Sequence, residues 1–196
     1  MDVDTLNAYN VYAKPFAAQA HARPQPEDLY SLIRTFFTPG LTADIGCGAG
    51  RDVAWLNRAG FETTGYDASE LLLEHARYRY PDLNFEMASL PDLAGIVSER
   101  FQNILCENVI MHLDLRLIRP SIARMLDLLL PGGALYISWR VMEGKAKRDQ
   151  HKRLYSAFDK SLILQECLGY RVVLDREDTS DSSGKRTQRM VIRKRA

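Results

Sequence analysis

The chain has 196 residues, 46% hydrophobic and 26% charged, with a formal net charge of +1. Those values exclude a disordered or fibrous chain and make one globular domain the expectation. The near balance of 26 basic and 25 acidic residues argues against nucleic acid as the partner, and no stretch reaches the roughly 20 apolar residues of a membrane span.

The N-terminus, Met1-Asp2-Val3-Asp4, is acidic and has no apolar core behind it, unlike a signal peptide. Residues Thr5–Phe37 are helical in pattern, broken at Pro15 and at Arg23-Pro24-Gln25-Pro26. A short apolar run, Thr42–Gly46, then ends in glycines. The spacing of Val53, Leu56 and Ala59 predicts a helix over Asp52–Ala59. A strand is predicted over Phe61–Tyr66, closed by Asp67, and a helix over Glu70–Arg79, capped by Ser69. Further strands follow at Asn84–Ala88, Phe101–Glu107 and Ala134–Trp139, with a helix over Ile118–Leu130 that stops at Pro131-Gly132-Gly133. Strands that alternate with helices in this way imply a parallel sheet covered on both faces. At the C-terminus, Tyr170–Glu177 and Thr187–Arg193 flank the turn Asp181-Ser182-Ser183-Gly184 and read as an antiparallel hairpin. The expectation is therefore a single domain on a seven-stranded, mostly parallel sheet with one antiparallel strand. Cys47, Cys106 and Cys167 are odd in number and far apart, which fits a reduced, cytoplasmic setting, and no Cys/His spacing points to a metal.

The strongest motif is Asp44-Ile45-Gly46-Cys47-Gly48-Ala49-Gly50-Arg51-Asp52, a strand that enters alternating glycines and then a helix. Glycines permit positive φ and let a ligand touch the backbone. A dinucleotide fingerprint needs G-x-G-x-x-G, and its third glycine is replaced here by Arg51. Asp44 suits a cationic amine better than a pyrophosphate. Asp67, ending the next strand, can accept both hydroxyls of a ribose.

These blocks, with Gly65-Tyr66-Asp67-Ala68-Ser69, Phe85–Pro91, Phe101–Leu113 and Leu129–Leu135, resemble the class I S-adenosylmethionine-dependent methyltransferases over roughly residues 40–140. The resemblance implies a Rossmann-like doubly wound α/β fold. It divides the chain into an N-terminal helical lid (1–38), a cofactor-binding core (39–140) and a C-terminal helix and hairpin (141–196). The implied cofactor is S-adenosyl-L-methionine, with S-adenosyl-L-homocysteine as product. Its binding residues would be Asp44 and the backbone of Gly46, Cys47 and Gly48 at the methionine end, Asp67 at the ribose, Ala68, Ser89 and Leu90 along the adenine, and Arg51. Many relatives carry Asp where this chain has Ser89. Cys106 would face the methionine portion, and Tyr12 would cover the cofactor from the lid.

Methyl transfer is an in-line displacement, so it is mainly a task of alignment, and a base is needed only where the nucleophile arrives protonated. Glu107 and His112 are the catalytic candidates, His112 having the bland alternative of a packing residue. Tyr9, Asn108, Arg140 and Tyr155 are candidates for acceptor contacts, with Asp149–Phe158 as the segment to examine. Arg140 either binds an anion or solvates the sheet edge. Gly50-Arg51-Asp52 resembles a small-molecule subgroup, so a small O, N or S acceptor is the first reading. The basic runs Arg140–Arg153 and Lys185–Arg195 leave an RNA methyltransferase as one alternative, and a non-catalytic cofactor-binding partner subunit is the other. Oligomeric state is not encoded legibly.

Overall fold

The computed structural model describes residues 1–181 and 183–196; of the predicted C-terminal turn, Ser182 lies outside the described residues. Three helices open the chain: α1 (Val3–Val11), α2 (Ala13–Ala22) and α3 (Glu27–Phe36). The first break falls at Tyr12 rather than at Pro15, which sits in the first turn of α2. An amide there has no partner within the helix, so proline is tolerated. Then follow β1 (Thr42–Ile45), α4 (Arg51–Arg58), β2 (Thr63–Asp67), α5 (Glu70–Arg79), β3 (Asn84–Met87) and β4 (Phe101–Cys106). Next come α6 (Leu115–Asp127) and β5 (Leu129–Arg140). The helix α6 starts earlier than periodicity predicts because Asp114 caps it, accepting from the Arg116 amide. Pro120 is accommodated inside it.

The seven strands run in the order β3-β2-β1-β4-β5-β9-β8, with β8 (Arg171–Thr179) and β9 (Arg186–Arg193) forming the hairpin. β9 alone runs opposite to the other six strands of the sheet and lies between β5 and β8. The predicted helical C-terminal segment is mostly irregular. It holds a two-strand ribbon, β6 (Lys147–Arg148) and β7 (Leu154–Tyr155), and one short helix, α7 (Ser161–Leu164).

Both faces of the sheet are covered at its centre, where β4 and β5 read as largely apolar runs. Alternate residues Ala43, Ile45, Ile104, Ile137 and Met190 pack with Ile118, Ile122 and Met125 of α6. The other set, Leu105, Tyr136 and Val191, packs with Leu29, Tyr30 and Ile33 of α3 and with Trp55 and Leu56 of α4. Tyr30 stacks on Trp55 with centroids 3.9 Å apart and donates to Asp52 at 2.8 Å. Arg189 is buried under α3, bound to Asp28 and, at 3.1 Å, to Asp178. The basic tail is thus largely matched within the molecule: Arg186 meets Glu177 and Glu143, Arg193 donates to the carbonyls of Gly132 and Phe36, and Lys194 pairs with Glu99. Among the described residues no helix is long and apolar enough to cross a membrane.

Candidate cofactor and acceptor site

At the end of β1 the amides of Gly46 and Cys47 both donate to the Tyr66 carbonyl, at 2.7 and 3.1 Å, which turns the chain away from the sheet. Gly46, Gly48 and Gly50 all have positive φ, at 77°, 55° and 80°. Each is required for a different reason. A Cβ on Gly46 would lie 2.4 Å from Val109 Cγ2, and one on Gly50 would lie 2.7 Å from the Phe85 ring. A Cβ on Gly48 would meet nothing within 4 Å, because that side of the residue faces an open cavity. Urea unfolding should therefore show Gly46→Ala losing about 2–4 kcal/mol and Gly48→Ala only about 1 kcal/mol. Equal losses would place the steric demand elsewhere.

The cavity holds about 270 Å³ and brings together most of the sequence-predicted residues. Gly46, Cys47, Gly48, Arg51, Asp67, Ala68, Ser89, Leu90, Glu107, Asn108, His112 and Tyr9 line it. Asp44 lies buried beneath the loop, outside the lining, and its Oδ2 has no hydrogen-bond partner. Cys106 is fully buried and does not reach the cavity, because it shares the α6 side of β4 with Ile104. Tyr12 is 39% exposed and packs on the His151 ring instead. Arg140 stands over the Tyr155 ring at 5.6 Å, and both lie behind the lining. Sequence reasoning did not single out Gln19, Arg23 or Ser138; the first two line the cavity and the third supports it.

Asp67 is fixed by the Gly48 amide on one oxygen and the Ser69 amide on the other, both at 2.8 Å. Even so, burial raises it above the ordinary carboxylate range. Burial also raises Asp44, with neighbouring Asp52 acting the same way. Glu107 is raised by burial too, against the donation from Ser138 and the charge of Arg189. Its second oxygen accepts from Asn108 Nδ2 at 2.6 Å. The Asn108 amide in turn donates to Ser138 Oγ at 3.0 Å, and Asn108 takes a left-handed φ of 57°. Backbone in that region is sparsely populated and clusters at functional sites. The nearby cation, Arg51, is matched by Asp52 at 2.9 Å. Asp67 and Glu107 thus line one end of the cavity with Asp44 buried beneath it, and among the described residues none of the three forms an ion pair. This end suits a ligand that brings positive charge, as the ammonium and sulfonium of S-adenosylmethionine do.

The opposite end is closed by α1, α2 and the β6–β7 ribbon. His112 Nδ1 lies 2.6 Å from the Leu154 carbonyl, which can only accept, so Nδ1 carries the proton. Its Nε2 lone pair receives the Tyr9 hydroxyl at 3.1 Å. Burial lowers His112 to about 4, so the ring is neutral at physiological pH. Burial likewise pushes the Tyr9 hydroxyl up to about 12, and that oxygen also accepts from Arg153 at 3.3 Å. The ribbon holds α1 by Arg148 on Asp2 at 2.8 Å and by the Leu154 amide on Thr5 Oγ1 at 2.8 Å.

The strand order, the glycine loop after β1 and the acid ending β2 resemble those of the class I S-adenosylmethionine-dependent methyltransferases. Residues 43–133 match the family model described as a methyltransferase domain. A curated relative, the trans-aconitate 2-methyltransferase of Methylobacterium radiotolerans, is 36% identical over 104 residues, covering 50% of this chain and 37% of that protein. The chain thus spans little more than a third of the curated relative it matches. Among solved structures, Burkholderia thailandensis 1,6-didemethyltoxoflavin-N1-methyltransferase, with bound substrate and S-adenosylhomocysteine, aligns with a TM-score of 0.73 at 22% identity, over 98% of this chain and 86% of that one. The [4+2]-cyclase SpnF aligns with a TM-score of 0.75 at 13% identity, over 97% and 94%. At these identities the likeness is one of fold, and a cyclase on the same fold means that the reaction must be argued from the site.

Proposed function

We propose that this chain transfers a methyl group from S-adenosyl-L-methionine to an oxygen, nitrogen or sulfur of a small-molecule acceptor. The observation that carries the reading is the single cavity in which the glycine loop, Asp67 and the Glu107-Asn108-His112 cluster meet under the N-terminal helices. The cofactor, when bound, supplies an activated methyl on a sulfonium. Asp44, with its free oxygen, and the backbone of Gly46 to Gly48 would hold the amino-acid end, Asp67 the ribose, and Ala68, Ser89 and Leu90 the adenine. Glu107 and Asn108, locked by Ser138, give the transfer position rigid polar walls. Such preorganisation is what an in-line displacement needs from its protein.

Through Tyr9, His112 would take a proton from a protonated acceptor. In the closed site its lone pair is already engaged by that hydroxyl, so an acceptor must displace or share the bond. The relatives named for trans-aconitate and for a toxoflavin precursor support an acceptor of small size. The full chain should bind S-adenosylmethionine and S-adenosylhomocysteine in a calorimetric titration and leave NAD unbound. In an acceptor screen Glu107→Gln should keep that affinity within about threefold and lose about 100-fold in turnover. Failure to bind either sulfur ligand would overturn the reading.

A further inference from the structure

The cavity is electrically two-ended. Its loop end collects Asp67 and Glu107, with Asp44 buried beneath; its lid end collects arginines. Arg153 lines the cavity, with its guanidinium 4.7 Å from the Phe16 ring centroid, 5.4 Å from that of Tyr9 and 5.8 Å from that of Tyr155. Asp149 holds its Nε at 2.8 Å and its Nη2 at 2.7 Å, and one Nη1 proton goes to Tyr9. Of the five N–H donors that a guanidinium carries, the remainder have no partner among the described residues. Arg23, closing α2, lines the same cavity and donates to Gln19 Oε1 at 3.2 Å. Among the described residues neither Arg23 nor Arg140 has a carboxylate within ion-pair distance. All three arginines act electrostatically on the Tyr155 hydroxyl, with Asp149 acting against them. The lid end therefore has more positive charge than its own side chains neutralise.

We infer that the acceptor is a small organic acid, bound by its carboxylate between Arg153 and Arg23 with its carbon skeleton against Tyr9 and Phe16. This inference rests on the methyltransferase reading and adds the substrate class to it. An arginine fork matches a carboxylate with two parallel hydrogen bonds. A phosphate ester fits less well. The backbone amides that would cradle it are those of the glycine loop, and that loop lies at the acidic end, beside Asp44, Asp52 and Asp67. The aromatic walls flanking Arg153 also strengthen its bond to an anion by keeping water away.

The test is a titration of the full chain saturated with S-adenosylhomocysteine. The probes are glutarate, citrate and benzoate, with glutaramide and benzamide as neutral controls and glycerol phosphate as a competing anion. Carboxylates should bind and their amides should not. Arg23→Gln alters an exposed side chain, so it should fold normally; it should weaken acid binding about tenfold and leave S-adenosylhomocysteine affinity unchanged. Arg153→Lys, which keeps the charge but not the fork, should weaken it by a similar factor. If S-adenosylhomocysteine binds but no acid does, or acids and amides bind alike, or glycerol phosphate binds in place of the acids, the acid assignment is overturned and the methyltransferase reading stands. Unchanged acid binding in Arg23→Gln would also overturn it. If S-adenosylhomocysteine itself fails to bind, both readings fall together.

Discussion

Replacing Asp67 with alanine is expected to weaken S-adenosylhomocysteine binding by about 100- to 1000-fold, equivalent to about 3–4 kcal/mol. Two effects combine. The ribose would lose a charged acceptor for its hydroxyls, and the loop would lose the bond that holds the Gly48 amide at 2.8 Å. Asp67→Asn separates them. Its single acceptor oxygen can serve the Gly48 amide or the Ser69 amide but not both, and it carries no charge, so it should recover part of the affinity and part of the loop's order. Calorimetry on both variants reads the ratio, and an alanine variant within twofold of wild type would remove Asp67 from the cofactor site.

Acid should destabilise the folded chain through His112. The sign follows from its lowered value. In the unfolded chain a histidine takes its proton near pH 6.5, whereas buried His112 refuses it until about 4. Its contribution to stability is thus fully present above about pH 6.5 and is lost as pH falls toward 4, up to about 3 kcal/mol in all. Asp44, Asp67 and Glu107 act in the opposite direction, since their raised values favour the folded state as acid is added. The comparison that isolates His112 is urea unfolding of wild type and His112→Gln at pH 7 and pH 4.5. The variant should lose less stability between the two pH values. Parallel losses would mean that the ring is not held neutral by its surroundings.

The parts of this site that are local in sequence were legible in it. Alternating glycines between Asp44 and Asp52 specify a strand, a left-handed turn and a helix within nine residues, and the observed φ values follow. The sheet order follows from regular alternation of strands and helices. Two errors have local causes: Asp114 starts α6 before its apolar stripe begins, and Pro15 sits where a helix tolerates it. Cys106 was expected at the cavity because it adjoins Glu107, yet neighbours on a strand point to opposite faces. Hence Glu107 can line the cavity while Cys106 is in the core. The lid end was legible only as a list of candidates. Tyr9 and Arg153 are 144 positions apart, and no periodicity or spacing signals that they touch.

The same separations bear on the order in which the molecule can assemble. The contacts that seat α1 against the ribbon, Arg148 on Asp2 and Leu154 on Thr5, span 146 and 149 positions. A chain made from its N-terminus can seat α1 and α2 on α5, with Ala13 and Ala17 against Leu72, long before the ribbon exists, and closing so long a loop slows the pairing with the ribbon. The sheet can nucleate from its parallel strands while these helices still lack the ribbon. The cover of the cavity is therefore among the last parts to settle, so a nascent or partly folded chain would present an open loop end well before it could enclose an acceptor.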